Sequence, residues 1–314
     1  MIIVTSYDSP DLDGIACAIA YTEFLNQKGI SAKALYFGDL GLEVEFVKNY
    51  THNFAIEKHS GAYEPDFDFV LVDTSDPDAI DPAIPLPKVK EIFDHRQLVF
   101  VEKFINATKH IELVGSCATL MAEQFKTAGL IPSKNSAIYL YSAIVSNTIN
   151  FKNSVTTQRD IDTASWLKEI TGLGDDYIRQ MFLAKSNISS DNLYEVLFQD
   201  FAIKDINGKK VGISQIEMVD VDRMSTDLNS ALIETLNRFK YENKLDLLFF
   251  TGIDIIKGFN IFYTIDDLSQ KVFSQALGIP VITQGYKTAS IIMRKQIWPK
   301  LEAVIALPSP QNSN

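Results

Sequence analysis

Cysteine is almost absent from this sequence. Cys17 and Cys117 are the two thiols in 314 residues, and each falls in a run that reads as helix. That argues against a disulfide framework and for two small buried hydrophobes in a reducing cytoplasm. Long apolar runs are missing as well. None approaches the roughly 20 residues needed to span a bilayer, and the opening Met1-Ile2-Ile3-Val4 goes straight into a strand without the basic stretch of a signal peptide. There is no excess of positive charge: the net charge of −11 argues against a partner of duplex nucleic acid, which needs a basic face. A local basic pocket for a small anion remains compatible with it. No internal repeat is present.

What is present is an ordinary globular composition, 46% hydrophobic and 22% charged. A chain this long exceeds one typical core, so two domains are expected. Residues 2–6, 32–37, 69–72 and 89–93 read as strands, separated by helical runs such as 15–25 and 42–47. This alternation predicts an α/β fold, a mostly parallel sheet flanked by helices. Helical runs follow at 117–125, 137–147, 161–171 and 175–184, and helix starts near strand ends offer free amides to phosphate oxygens. The polar stretch 185–190 reads as a linker. Beyond it, Asn207-Gly208 between two apolar runs marks a hairpin, a helix is expected over 226–241 and a strand over 246–251. Residues 291–296 read as a strand-like run ending in charge. The expected division is 1–186, a linker at 187–191, and a smaller α+β domain with a mixed sheet at 192–314, its tail disordered from about 306.

Three of the predicted strands end in the same chemistry. The first leads into Tyr7-Asp8-Ser9-Pro10-Asp11-Leu12-Asp13-Gly14, the third ends on Asp73, and the fourth runs into Asp94-His95-Arg96. In open α/β sheets, sites collect beyond the carboxyl ends of strands. Taken singly, Asp11 and Asp13 read as helix-start residues, Asp73 as a turn residue and His95 as a structural histidine. Their recurrence at equivalent strand ends points instead to one metal pocket. Oxygen donors with one imidazole suit Mn²⁺ or Mg²⁺, with Co²⁺ as a further alternative. His52, His59 and His110 lack such companions and read as surface residues. Lys209-Lys210 and Arg294-Lys295 are the late basic pairs, each readable as no more than a hairpin edge or a charged strand end.

Asp11-Leu12-Asp13, Leu71-Val72-Asp73, Asp94-His95-Arg96, Gly115-Ser116-Cys117-Ala118-Thr119, Ser142 through Thr148, and Met293-Arg294-Lys295-Gln296 occur in that order. Together they resemble the motifs of the DHH phosphoesterase superfamily, in the branch of family II (manganese-dependent) inorganic pyrophosphatases and prune-type exopolyphosphatases. The resemblance implies an active site in a cleft between the two domains and hydrolysis of pyrophosphate or short polyphosphate by a metal-activated water. It implies metal ligation by Asp11, Asp13, Asp73 and His95, with Asp73 bridging, Asp94 orienting His95, and Arg96, Lys209, Lys210, Arg294 and Lys295 meeting phosphate charge. A cytoplasmic protein without a membrane partner, and a homodimer through the first domain, belong to the same expectation.

The departures from the family pattern are specific. Tyr7 stands where pyrophosphatases carry a histidine ligand, Arg96 where they carry a second histidine, and Asn147 where they carry an aspartate ligand. Prune-type proteins share Asp-His-Arg and lack the first histidine. Asn147 is expected to be a weak metal ligand, and Asp8 a compensating one. The alternatives are a homologue that binds a phosphorylated ligand with little turnover and a phosphodiesterase acting on small nucleotides. The second is disfavoured by the lack of a glycine-rich motif in the second half.

Overall fold

The computed structural model describes residues 1–96, 101–186, 188–280 and 285–305. The chain divides into two compact units, Met1–Lys185 and Ser186–Asn314. Asn187, within the expected linker, and the tail expected to be disordered lie outside the described residues.

In the first unit the strands are β1 (Ile2–Thr5), β2 (Ala32–Tyr36), β3 (Glu57–Lys58), β4 (Asp68–Val72), β5 (Val89–Asp94) and β6 (Thr108–Ile111). They form one sheet in the order β3-β2-β1-β4-β5-β6, and every pairing is parallel. The chain runs outward from β1 to β3, then returns to the other side of β1 and runs outward again. The boundary between β1 and β4 is therefore a topological switch point, where a crevice opens at the carboxyl ends.

Among the described residues, the α-helices of this unit are α1 (Leu12–Gln27), α2 (Leu42–Thr51), α3 (Cys117–Ala128), α4 (Lys134–Asn147), α5 (Gln158–Thr171) and α6 (Tyr177–Lys185). α1 starts where the Asp11 carboxylate accepts from the amides of Asp13 and Gly14, a side-chain N-cap. It stops before Gly29, whose φ of +77° is cheap only for glycine. Apolar residues occur all round α1 rather than on one stripe, so it is buried nearly throughout, packed against α3 and α4. α5 begins in a reciprocal capping box between Thr157 and Asp160. Among the described residues, no helix is long and apolar enough to cross a membrane.

The second unit is mixed. Its strands are β7 (Phe201–Ile206), β8 (Lys209–Met218), β9 (Leu247–Asp254), β10 (Phe259–Tyr263) and β11 (Tyr286–Lys287), and its helices α7 (Leu193–Gln199), α8 (Asn229–Glu242), α9 (Asp267–Leu277) and α10 (Arg294–Ile305). The sheet order is β11-β10-β9-β8-β7; β8 and β9 are parallel and the other pairs antiparallel. Asn207 and Gly208, both at positive φ, make the tight turn between β7 and β8. Alternation along β9 sends Leu248 and Phe250 into a core with α7 and α8, and Leu247 and Phe249 into one with α9 and α10.

Two sequence expectations shift here. The helix expected from 226 starts at Asn229. Residues 294–296 are not the end of a strand but the first turn of α10, where the Gln296 side chain accepts from the Met293 amide at 2.8 Å. Three consecutive apolar residues before Arg294 look like a strand in sequence, and local capping decides otherwise.

Candidate functional site

The switch point brings three donor side chains together. Asp13 comes from the first turn of α1, Asp73 from the residue after β4, and His95 from the residue after β5. One ligand atom from each lies within 4.8 Å of the other two. His95 Nε2 is 3.3 Å from Asp73 Oδ1 and 3.8 Å from Asp13 Oδ2. Asp13 and Asp73 are almost wholly buried.

Each donor is held by neighbours. Asp73 adopts φ +56°, a left-handed conformation uncommon outside glycine, asparagine and aspartate, and this ends β4 abruptly. The other ring nitrogen of His95, Nδ1, lies 3.0 Å from the Val114 carbonyl. A carbonyl can only accept, so Nδ1 carries a proton and Nε2 is the nitrogen turned toward the carboxylates, the one a metal would take in exchange for its proton. Asp13 is the most firmly fixed: it accepts from Ser116 Oγ at 2.9 Å and from the amides of Cys117 and Ala118, both at 2.8 Å. The start of α3 was expected to offer amides to phosphate. It spends them on Asp13 instead, as a helix N-terminus favours a carboxylate. Gly115 permits this approach, because a Cβ there would stand 2.6 Å from the Thr148 methyl.

The remaining expected residues separate into groups. Asp94 does not reach the histidine ring: its Oδ1 accepts from the backbone amides of His95 and Arg96 and from Arg96 Nε, and its Oδ2 from Ser75 Oγ at 2.6 Å. It therefore shapes the loop, while Val114 orients the imidazole. Asp11 lies beside the cluster as the α1 cap. Asp8 is exposed and outside it, its Oδ1 accepting from the Ser9 hydroxyl. Asn147 faces the site with the wrong end for a ligand, its amide nitrogen donating to Asp13 Oδ2 at 2.6 Å. An aspartate there could not donate that bond. Just beyond it, Ile149, Asn150 and Phe151 all have positive φ.

Arg96 and Tyr7 form a pair that the sequence did not suggest. The guanidinium lies over the Tyr7 ring, 5.6 Å from its centre, while Nη2 donates to the Asp73 carbonyl and approaches Asp73 Oδ1 at 3.4 Å. The Tyr7 hydroxyl accepts from the Asp11 amide at 3.2 Å.

The late basic residues do not form one cluster. Lys209 and Lys210 are exposed at the start of β8. The Arg294 amide is bonded to Gln215 Oε1 at 2.8 Å, so that anchor stands about 16 Å further along the same strand. The Arg294 guanidinium is occupied by the carbonyl and carboxylate of Asp200. Lys295 is exposed. Cys17 and Cys117 are buried and unbridged, with Cys17 Sγ 3.6 Å from Asp13 Oδ1. His110 is not a simple surface residue but stacks on Phe93.

The donor set fits a divalent metal. Ligands at about 2.1 Å from one ion stand about 3.0–3.4 Å apart, and the Asp73–His95 separation already matches. Without an ion the carboxylates face each other in a buried place. Burial, and then the Asp13 charge, push the Asp73 carboxyl up to about 8. Burial works against charging His95, but the hydrogen bond to Asp73 and the Asp13 charge outweigh it and push the imidazole up to about 11. The pocket thus holds protons where a cation belongs.

Residues 179–304 match the DHHA2 domain family. Over 307 residues the chain is 28% identical to a manganese-dependent inorganic pyrophosphatase of Methanothrix thermoacetophila, covering 96% of this chain and 97% of that protein. A crystal structure from Methanococcus jannaschii, assigned to the family II inorganic pyrophosphatases, superposes with a TM-score of 0.68 at 26% identity, over 97% of this chain and 99% of that one. An exopolyphosphatase-related protein from Bacteroides fragilis shares the fold at 12% identity, with a TM-score of 0.50 over 97% of this chain and 91% of that one. Over nearly its whole length the chain is similar to these relatives, and residues 179–304 match the DHHA2 domain model; together the likenesses support the family II pyrophosphatase branch of the DHH phosphoesterases.

Proposed function

We propose that this protein is a metal-dependent hydrolase of phosphoanhydride bonds, acting on inorganic pyrophosphate or short polyphosphate with Mn²⁺. The observation that carries the reading is the convergence of Asp13, Asp73 and His95 at the switch point of the parallel sheet. These three side chains would hold the ion. When bound, it supplies Lewis acidity toward phosphate oxygens and a water made acidic enough to attack at neutral pH. The protein's own part is positioning. Val114 fixes the tautomer of His95, the α3 amides fix Asp13, and Asp94 fixes the loop that carries Arg96. The half-exposed Arg96 guanidinium offers a positive charge beside the cluster to a phosphate oxygen, as charge stabilisation in a transition state requires. Lys295 is the second unit's candidate for a phosphate contact. Lys209 and Lys210, well along the strand from the Arg294 anchor, are its weaker candidates.

The reading extends to a cytoplasmic protein and to a homodimer through the first unit. β6 is the outer strand of its sheet, and Ile105 and Leu113 are exposed just outside its ends, so the edge invites pairing with another copy. Light scattering measures that state. Binding of a phosphorylated ligand with little turnover is the second reading, favoured by Asn147 presenting nitrogen rather than oxygen to the site. The deciding assay is phosphate release from pyrophosphate, tripolyphosphate and a generic phosphodiester, each with Mn²⁺, Mg²⁺ and Co²⁺. Release from the two anhydrides with Mn²⁺ is expected. Tight Mn²⁺ binding with no release from either would overturn the hydrolase and leave the binding role.

A further inference from the structure

We infer that the Arg96 guanidinium is a built-in cation that occupies the place of a second metal ion, so that the centre takes one divalent ion per chain. The inference rests on the metal-centre reading above and concerns its stoichiometry.

Asp73 is the residue two ions would have to share, and its Oδ1 already has two neighbours: His95 Nε2 at 3.3 Å and Arg96 Nη2 at 3.4 Å. Arg96 Nη2 also bonds the Asp73 carbonyl. The guanidinium cannot easily swing away. Its Nε donates to Asp94 Oδ1 at 3.1 Å, and its central carbon stands 5.6 Å over the centre of the Tyr7 ring, a cation–π contact. The other groups there are poor replacements for metal ligands. The Tyr7 oxygen already accepts from the Asp11 amide. The Asp11 carboxylate is engaged with the first amides of α1.

Paired ions in such sites lie about 3.5–4 Å apart. A second ion sharing Asp73 would thus be in contact with the guanidinium, and the two positive charges exclude each other. An arginine at this place differs from an ion in useful ways. It does not dissociate, it needs no metal supply, and its planar fork matches phosphate oxygens. It cannot acidify a water by coordination, so that task falls to the single ion.

The test is a count of Mn²⁺ on the metal-stripped full-length chain, by electron paramagnetic resonance of free Mn²⁺ and by calorimetry, with pyrophosphate hydrolysis measured in parallel. One tight ion per chain is expected for the wild type and for Arg96→Lys, which keeps the charge. Two are expected for Arg96→His combined with Tyr7→His. If that pair does not fold by circular dichroism, Arg96→Gln removes the charge at similar size and should gain weak second-site binding. Two tight ions on the wild type overturn the inference, as does a count that stays at one in every folded variant lacking the Arg96 charge. One tight ion without pyrophosphate turnover leaves this inference standing and removes the hydrolase. Two ions with turnover do the reverse.

Discussion

Asp73 in the first unit and Asp254 in the second occupy equivalent places: both are buried aspartates at the carboxyl end of a central strand. Their partners differ in kind. Asp254 accepts from the backbone amides of Ile256 at 3.1 Å, Lys257 at 2.7 Å and Val221 at 3.3 Å. Those amides cannot titrate, the exposed Lys257 ammonium stands off at 3.9 Å, and the carboxylate serves to tie off a turn. Asp73 has ionisable neighbours instead: His95, Arg96 and, through the pocket, Asp13. A buried carboxylate answered by amides holds structure together, whereas one answered by other titrating groups is poised for chemistry.

The contrast is broken most sharply by replacing each residue with asparagine. Asp73→Asn should lower Mn²⁺ affinity by about 100-fold or more, on the order of 3 kcal/mol, and abolish hydrolysis. The melting temperature of the metal-free protein should change little near neutral pH, because a buried carboxyl that already holds its proton gives way to a neutral amide of the same shape. Asp254→Asn should do the opposite, costing about 1–3 kcal/mol by presenting N–H to an amide donor and leaving Mn²⁺ affinity as it was. Calorimetry with thermal melts of both variants checks the pair. If both lose stability alike and neither loses metal, the distinction is void.

A second effect concerns pH. Asp73 and His95 hold their protons up to about 8 and about 11 in the metal-free fold, against ordinary values of 3.8 and 6.5. An ion must displace those protons, so Mn²⁺ affinity should climb from pH 6 to pH 8, by about tenfold per unit for each proton released. The same shifts favour the metal-free fold most at low pH. The Asp73 share is complete below about 4 and fades as pH rises through 8, and the His95 share is complete below about 6.5 and fades toward 11. Saturating Mn²⁺ should reverse the trend. Titrations in buffers of different ionisation enthalpy count the protons directly.

Asn147→Asp comes next. It puts a second carboxylate where an N–H now lies 2.6 Å from Asp13 Oδ2. Stability without metal should fall by about 1–3 kcal/mol, and Mn²⁺ should restore more stability than it gives the wild type. An unchanged metal-free melt would mean that the amide bond to Asp13 is unimportant. The smallest effect is expected at the hairpin. Lys209→Ala with Lys210→Ala should change kcat/KM by less than about threefold, whereas Lys295→Ala should raise KM while sparing kcat. A large loss in the hairpin variant would return those lysines to the site.

The parts legible in the sequence were those decided locally. Asp11 before an apolar run caps a helix, Asn207-Gly208 turns a hairpin, and strands that end in aspartate or histidine reach the switch point of a parallel sheet. The parts that were not legible depend on long-range approach. The amides of Cys117 and Ala118 reach Asp13 across more than a hundred residues, and Arg96 finds the Tyr7 ring across nearly ninety. Residue types at single positions could show that ligands had been replaced. They could not show that two of the replacements, Tyr7 and Arg96, meet as cation over ring. Nor could they show which atom of Asn147 faces inward, since that depends on an acceptor on another helix.

The left-handed turn at Asp73 has a consequence for mutation. At φ +56° asparagine and glycine substitute with little backbone cost, and most other side chains do not. Both lie one base change away from aspartate. A copy of this gene released from selection for catalysis would therefore drift at position 73 toward asparagine or glycine while its product went on folding. In relatives that share this turn, the residue there reports on chemistry rather than on foldability. A carboxylate marks a working centre, and an amide or a bare backbone marks one that has been retired.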